Sequence, residues 1–311
     1  IPEGLGRLDY LPYFEPSQSL CLFRLLLPVE ENNRPPNSLR KAYQAAPQVV
    51  FWLLGAYLPK SEKSGIEFLP FEEGDQHTID DSIFGGDSLP SAEVIAEIKP
   101  LISLIGEDAI QMDFAARQIS QRLEKPLLII RQSNQSNDGA QQDQLSSAVR
   151  DARMLGAVLY IQNADVYVTS DGCLLPEAFT VVRLLDEAVI LGSKKPFRFA
   201  ADMPGNDYPL MRIHFETLST GERADLWTEL LEGVADELPQ KSIEMIAGQF
   251  SLTTGQIVAA ASSAMSQALQ EGRQLNSQDL FEAARFHSNH QLSTLADKIL
   301  PRYSWGDLIL P

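Results

Sequence analysis

Residues 106–113, Gly106-Glu107-Asp108-Ala109-Ile110-Gln111-Met112-Asp113, follow the apolar run Leu101–Ile105 and lead into a helical pattern from Phe114. Between a strand and a helix, a phosphate cradle reads G-x-x-x-x-G-K-[ST]. Its glycines let backbone amides close round the anion, its lysine bridges the outer phosphates, and its hydroxyl holds magnesium. Gly106 fits the first glycine, but Gln111, Met112 and Asp113 stand where Gly, Lys and Ser/Thr belong. Glu107 and Asp108 add negative charge to the same loop. Two unit charges about 4 Å apart interact by about 1 kcal/mol in water and several-fold more in a lower dielectric. Carboxylates without one lysine therefore oppose a triphosphate. The complementary half of such a site is an Asp-Glu pair at the end of a later strand, which holds magnesium and activates water. Here Ala157–Ile161 runs into Gln162-Asn163, two amides that do neither. Ser193, after Ile190-Leu191-Gly192, is the remaining polar residue able to contact a γ-phosphate.

Other candidates carry less chemistry. His287 and His290 lie three apart, a spacing one helix face can use for metal, but no third His or Cys is near, so a solvated helix end is the expectation. His214 falls in an apolar run and is expected to be a core histidine. Cys21 and Cys173 form no CxxC pair and read as small buried hydrophobes in a reducing cytosol. Ser170-Asp171-Gly172 is a turn signal. No G-x-S-x-G or HExxH motif supports a hydrolase or protease.

The elements that would position the 106–113 loop are regular. From residue 100, short apolar runs (Leu101–Ile105, Leu127–Arg131, Ala157–Ile161, Ala188–Leu191, Met211–Phe215) alternate with helical patterns near 110–123, 143–155, 174–186 and 220–234. Strands of this length between such helices predict βαβ units and a mostly parallel sheet. After Pro239 the strands cease, and helices are expected at 242–250, 254–272, 277–286 and 291–299, with Thr254 and Ser277 as N-caps and Gly272 as a stop. Upstream, 39–58 has helical spacing interrupted by Pro47. The division expected is a mainly helical region at 1–60, an acidic extended linker at 61–95, an α/β domain at 96–238, a helical lid at 239–300, and 301–311 leading into a further domain.

The 311 residues carry 25 Lys plus Arg against 42 Asp plus Glu, a formal charge of −17. That balance argues against nucleic acid, whose phosphates need clustered cations, and against an anionic membrane surface. Residues 61–87 concentrate the acidity, with eight carboxylates against Lys63 alone, interrupted by single apolar residues. Such a mix suits a solvated linker or an extended segment that docks a partner. No apolar run approaches the ~20 residues of a membrane span and no signal peptide is visible, so a cytoplasmic chain is expected. Ile1 and the ending Leu310-Pro311 read as cuts in a longer protein.

Taken together, the α/β unit and the helices leading through Thr253-Thr254-Gly255-Gln256-Ile257 to 280–299 resemble a AAA+ ATPase module. Arg212-Ile213-His214-Phe215 and Gly221-Glu222-Arg223-Ala224-Asp225-Leu226-Trp227 are similar to the family's last strand and the helix entering its lid. Ser304-Trp305-Gly306-Asp307-Leu308-Ile309-Leu310-Pro311 resembles the entry into a second AAA+ domain. A degenerate module before an active one is similar to the ATPases that accompany contractile injection systems, the phage-tail-like particles. The resemblance implies a P-loop NTPase-like parallel sheet with helices on both faces and a four-helix lid. It also implies protein clients and a hexameric parent protein, with ATP and magnesium in the following domain and no cofactor in this chain. Arg183 and Arg223 are then candidates for contacts between subunits, with ordinary helix salt bridges as the alternative. Gln256-Ile257 stands where many members place a phosphate-sensing arginine. The competing readings are a weak, atypical nucleotide-binding domain and a stand-alone scaffold.

Overall fold

The structure, a computed structural model, describes residues 12–29, 42–57, 65–72, 89–132, 138–201, 203, 205, 207–231 and 238–295. They fall in two compact units that divide between Phe215 and Glu216.

The first unit is built on a six-stranded sheet. β1 (Leu26–Val29) and β2 (Ala42–Ala45) form a separate antiparallel pair. The large sheet holds β3 (Ile66–Leu69), β4 (Leu101–Ile105), β5 (Leu127–Arg131), β6 (Val158–Gln162), β7 (Val189–Ser193) and β8 (Leu210–His214), in the spatial order β3-β5-β6-β7-β4-β8. All neighbours are parallel except the β3–β5 pair. The five parallel strands therefore stand in the chain order 2-3-4-1-5, as expected of βαβ units.

Side-chain alternation divides the core between the two faces of the sheet. Ile102, Leu104, Leu127, Ile129, Tyr160 and Ile190 face α4 (Ala109–Arg122) and Ile95 of α3 (Ala92–Ile98). Leu128, Ile130, Leu159, Ile161 and Leu191 face α5 (Asp138–Leu155) and α6 (Pro176–Val182). Helices thus cover both faces, and continuous burial explains why β4 to β7 read as unbroken apolar runs.

Three segments differ from the sequence expectation. Within 39–58 the described residues are strand β2 followed by α2 (Pro47–Leu53), because Pro47 occupies the first turn, where its missing N–H costs nothing. Together with α1 (Ser19–Leu22) and β1, this makes the N-terminal region mixed rather than mainly helical. It docks on α5: Phe23 joins the core, Arg150 donates to the Arg24 carbonyl at 2.9 Å, and Arg24 pairs with Asp143. The acidic linker contributes β3, whose Glu67 bridges Arg131 of β5 and Arg117 of α4. His214 is exposed because β8 lies at the sheet edge, and both cysteines are only half-buried.

The second unit holds α7 (Thr220–Leu230), α8 (Gln240–Gln249), α9 (Thr254–Gln270) and α10 (Ser277–Leu295). Capping boxes start α7 (Ser219 with Glu222) and α9 (Thr253 with Gln256), so the α9 cap lies one residue before Thr254. Asn276, rather than Ser277, caps α10 by accepting from the N–H groups of Gln278 and Asp279. Gly272, at φ +66°, takes the left-handed turn that stops α9. The four helices are not the four expected. α7 belongs to this unit, which moves the division upstream of 238, and 291–295 continues α10; residues 296–299 lie outside the described residues.

Arg223 is buried inside this unit. Its guanidinium donates to the Leu218 carbonyl at 2.5 Å, the Ala247 carbonyl at 3.0 Å and the Thr220 hydroxyl at 3.1 Å, tying α7 to the end of α8. An arginine so committed is not available to a neighbouring subunit. Arg223→Ala removes the hydrogen bonds to the buried Ala247 carbonyl and to the part-buried Leu218 carbonyl, and should lower the stability of the helical unit by about 2–3 kcal/mol, read from urea denaturation followed by far-ultraviolet circular dichroism.

Candidate functional site

In open parallel sheets, ligands bind beyond the C-terminal strand ends. At β4 that region is the three-residue loop Gly106–Asp108, because α4 already begins at Ala109. The Asp108 side chain accepts from the N–H groups of Ile110 at 3.0 Å and Gln111 at 3.4 Å. These are the free amides and the positive end of the helix dipole that a phosphate would use. Gly106 serves packing: a Cβ there would lie 3.1 Å from the Phe215 Cβ and 3.3 Å from its carbonyl oxygen. Its own N–H donates to the Ser193 carbonyl at 3.1 Å.

Beginning the helix early sets the faces of the next residues. Gln111 is buried at the first turn, and Met112 packs in the core beside Ala115, Ala116 and Ile119. Asp113 is half-buried and accepts hydrogen bonds from the Gln162 amide and the Tyr160 hydroxyl. Burial pushes the Asp113 carboxyl above its ordinary value, opposed by those two hydrogen bonds and by the charges of Arg131 and Arg117. Burial first, and then the Asp113 charge, hold the Tyr160 phenol far above its usual range. The Tyr160 ring reaches across β7, where a Cβ at Gly192 would stand 2.9 Å from the phenol oxygen. A tyrosine absent from the motif reading is thus central to the site, and the signal for it was Gly192 in an otherwise apolar strand.

The remaining predicted positions surround this network. Asn163 adopts a left-handed conformation (φ 53°), which asparagine tolerates better than glutamate does, and donates to the Gln132 carbonyl at 3.1 Å. The Gln132 side chain is buried with no hydrogen-bond partner among the described residues. Ser193 is buried and donates to the Lys195 carbonyl at 2.9 Å, so its hydroxyl is engaged within its own turn. At the rim, the Lys194 amide donates to the Asp165 carboxylate at 3.0 Å and its ammonium lies 3.9 Å from Glu107. The structure therefore brings Gly106, Gln111, Met112, Asp113, Gln162, Asn163 and Ser193 to the same strand ends, with most of their polar groups already engaged.

Candidates away from these strand ends stay separate. Arg183 is exposed, its guanidinium 5.9 Å from the Phe179 ring centroid. His287 lies 3.2 Å from the Ser263 hydroxyl, and the His290 side chain is outside the described set. Among the described residues, no cluster of three His, Cys, Asp or Glu could hold a metal, and no helix is long and apolar enough to cross a membrane.

The geometry defines a class: a doubly covered, mostly parallel α/β sheet with a strand-end site, followed by a helical unit. The sequence narrows it. Residues 219–290 match the family model of the contractile injection system ATPase helical domain, so the resemblance to those ATPases is carried by the helical unit itself. No curated protein matches the chain. Among solved structures it is similar to the FIGL-1 AAA domain (14% identity, TM-score 0.44, covering 75% of this chain and 90% of that one). It is also similar to that domain in complex with ADP (16%, 0.40, 62% and 75%). The third is the E. coli MS115-1 HORMA:CdnC:Trip13 complex (14%, 0.42, 66% and 80%).

The raised Asp113 value has a definite sign. An acid that ionises less readily folded than unfolded adds a penalty that is absent at low pH and grows as pH rises from its ordinary 3.8 through the raised value. Asp113→Asn removes that penalty. In urea titrations at about pH 4 and about pH 8, the variant should gain on the parent protein at the higher pH, while a gap independent of pH contradicts the assignment.

Proposed function

We propose that this chain is a non-catalytic, ATPase-like module of a contractile injection system ATPase, serving assembly or client binding without nucleotide. One observation carries the reading: the anion positions at β4 and α4 are taken by the protein's own Asp108 carboxylate and by the Asp113–Tyr160–Gln162 network. The groups present do not fit a magnesium triphosphate. Residues 106–113 hold three carboxylates and no lysine or arginine. The nearby arginines Arg117 and Arg131 pair with Glu67, and Met112 lies in the core.

On this reading ATP and magnesium belong to a further domain of the parent protein, which works in the cytoplasm as a hexamer on protein clients. Neither nucleic acid nor membrane is a partner. The match of residues 219–290 supports the setting.

Calorimetric titration of the chain with Mg-ATP should give no binding heat up to about 1 mM, where a ligand is worth only about 4 kcal/mol. Micromolar binding overturns the reading in favour of an atypical nucleotide-binding domain. Met112→Lys should not restore binding, and it should cost about 2–4 kcal/mol of stability because it places an ammonium in the core.

A further inference from the structure

One edge of the large sheet is β8, which pairs with β4 alone. The Leu101 N–H donates to the Pro209 carbonyl at 2.9 Å, and the Phe215 N–H donates to the Ile105 carbonyl at 2.8 Å. Backbone direction alternates along a strand, so residues 209, 211, 213 and 215 face β4. The N–H and carbonyl groups of Leu210, Arg212 and His214 then point off the sheet. Among the described residues none of these groups has a hydrogen-bond partner. Such an edge is a template for one more strand.

Side chains set the chemistry of that strand. Ile213 packs on the α4 side of the sheet, so Arg212 and His214, both exposed, stand on the other side. There the Arg212 guanidinium donates to the Phe197 carbonyl at 3.0 Å, which holds it against the turn that carries exposed Lys195 and Arg198. Among the described residues Lys195, Arg198 and Arg212 form no ion pair. Residues 194–215 hold Lys194, Lys195, Arg198 and Arg212 against Asp202 and Asp207, in a chain of −17.

We propose that the free edge of β8 takes an extended segment of a protein partner as an added strand, with carboxylates on the Arg212 side alternating with apolar residues on the other. Charge selects this occupant over a second copy. Full antiparallel overlap of β8 with another β8 would set Arg212 against Arg212, which repels. The opposite edge, β3, offers no such cations, because its Glu67 already bridges Arg117 and Arg131. The added strand uses no residue of the Asp108 cap or the Asp113 network, so its test is separate from the nucleotide titration.

The probe is a fluorescein-labelled peptide, Thr-Glu-Val-Glu-Val-Glu-Thr, titrated with the whole chain and read by fluorescence anisotropy. Saturable binding is expected, with a dissociation constant of about 10–100 µM at low salt. The same peptide with Lys in place of each Glu should not bind. Backbone N-methylation, on the Glu residues in one peptide and on the Val and Thr residues in another, keeps every charge. One of these two sets faces β8, and its methylation should abolish binding. Arg212→Glu should raise the dissociation constant at least ~10-fold. Lys195→Glu combined with Arg198→Glu, at exposed positions, should weaken binding in the same direction and keep the parent circular dichroism spectrum. No saturation up to about 1 mM, equal binding of the Lys peptide, or undiminished binding of both methylated peptides overturns the proposal. So does a chain that self-associates and becomes monomeric with Arg212→Glu, which assigns the edge to a second copy.

Discussion

An anion sits at the start of α4, and it belongs to the protein. The Asp108 carboxylate accepts from the first free amides of the helix, which fixes Ala109 as its opening residue and shortens the loop to Gly106–Asp108. The phase of the helix follows from that start. Met112 turns into the core and Asp113 turns toward β6, where it meets Tyr160 and Gln162. Tyr160 in turn requires Gly192 on β7. One helix cap thus coordinates β4, α4, β6 and β7 into a packed strand end whose polar groups largely satisfy one another.

The substitutions that separate this loop from a phosphate cradle are structural parts in their own right. Asn163 supplies a backbone conformation and a hydrogen bond to Gln132. Gly106 permits the close approach of Phe215, and Ser193 closes its own turn. Buried Gln132 is the exception, because its amide finds no partner among the described residues and nothing else in the site accounts for it. The helical unit matches the contractile injection system ATPase model through α7 to α10, where Trp227 and Arg223 hold the inner packing.

Much of the α/β core was legible in the sequence, because strands buried on both faces leave uninterrupted apolar runs such as Leu101–Ile105. β3 was not, because a half-buried antiparallel edge strand inside an acidic stretch carries no such run. β2 was hidden by helical spacing across 39–58, and the informative residue was Pro47, which marks a helix start as readily as a break. His214 was misplaced because strand periodicity does not say which strand lies at the edge. The positions of the strand-end site were visible as motif departures, but their interactions were not. Tyr160 and Asp113 meet only after β6 is placed beside β7 and β7 beside β4.

The central claim is that the chain's own carboxylate keeps the amides at the start of α4. Nuclear magnetic resonance shifts of the Ile110 and Gln111 amides during a Mg-ATP titration read this directly. The account predicts no change at either amide up to millimolar ligand, because Asp108 already holds both. Saturable shifts at these two amides would contradict it.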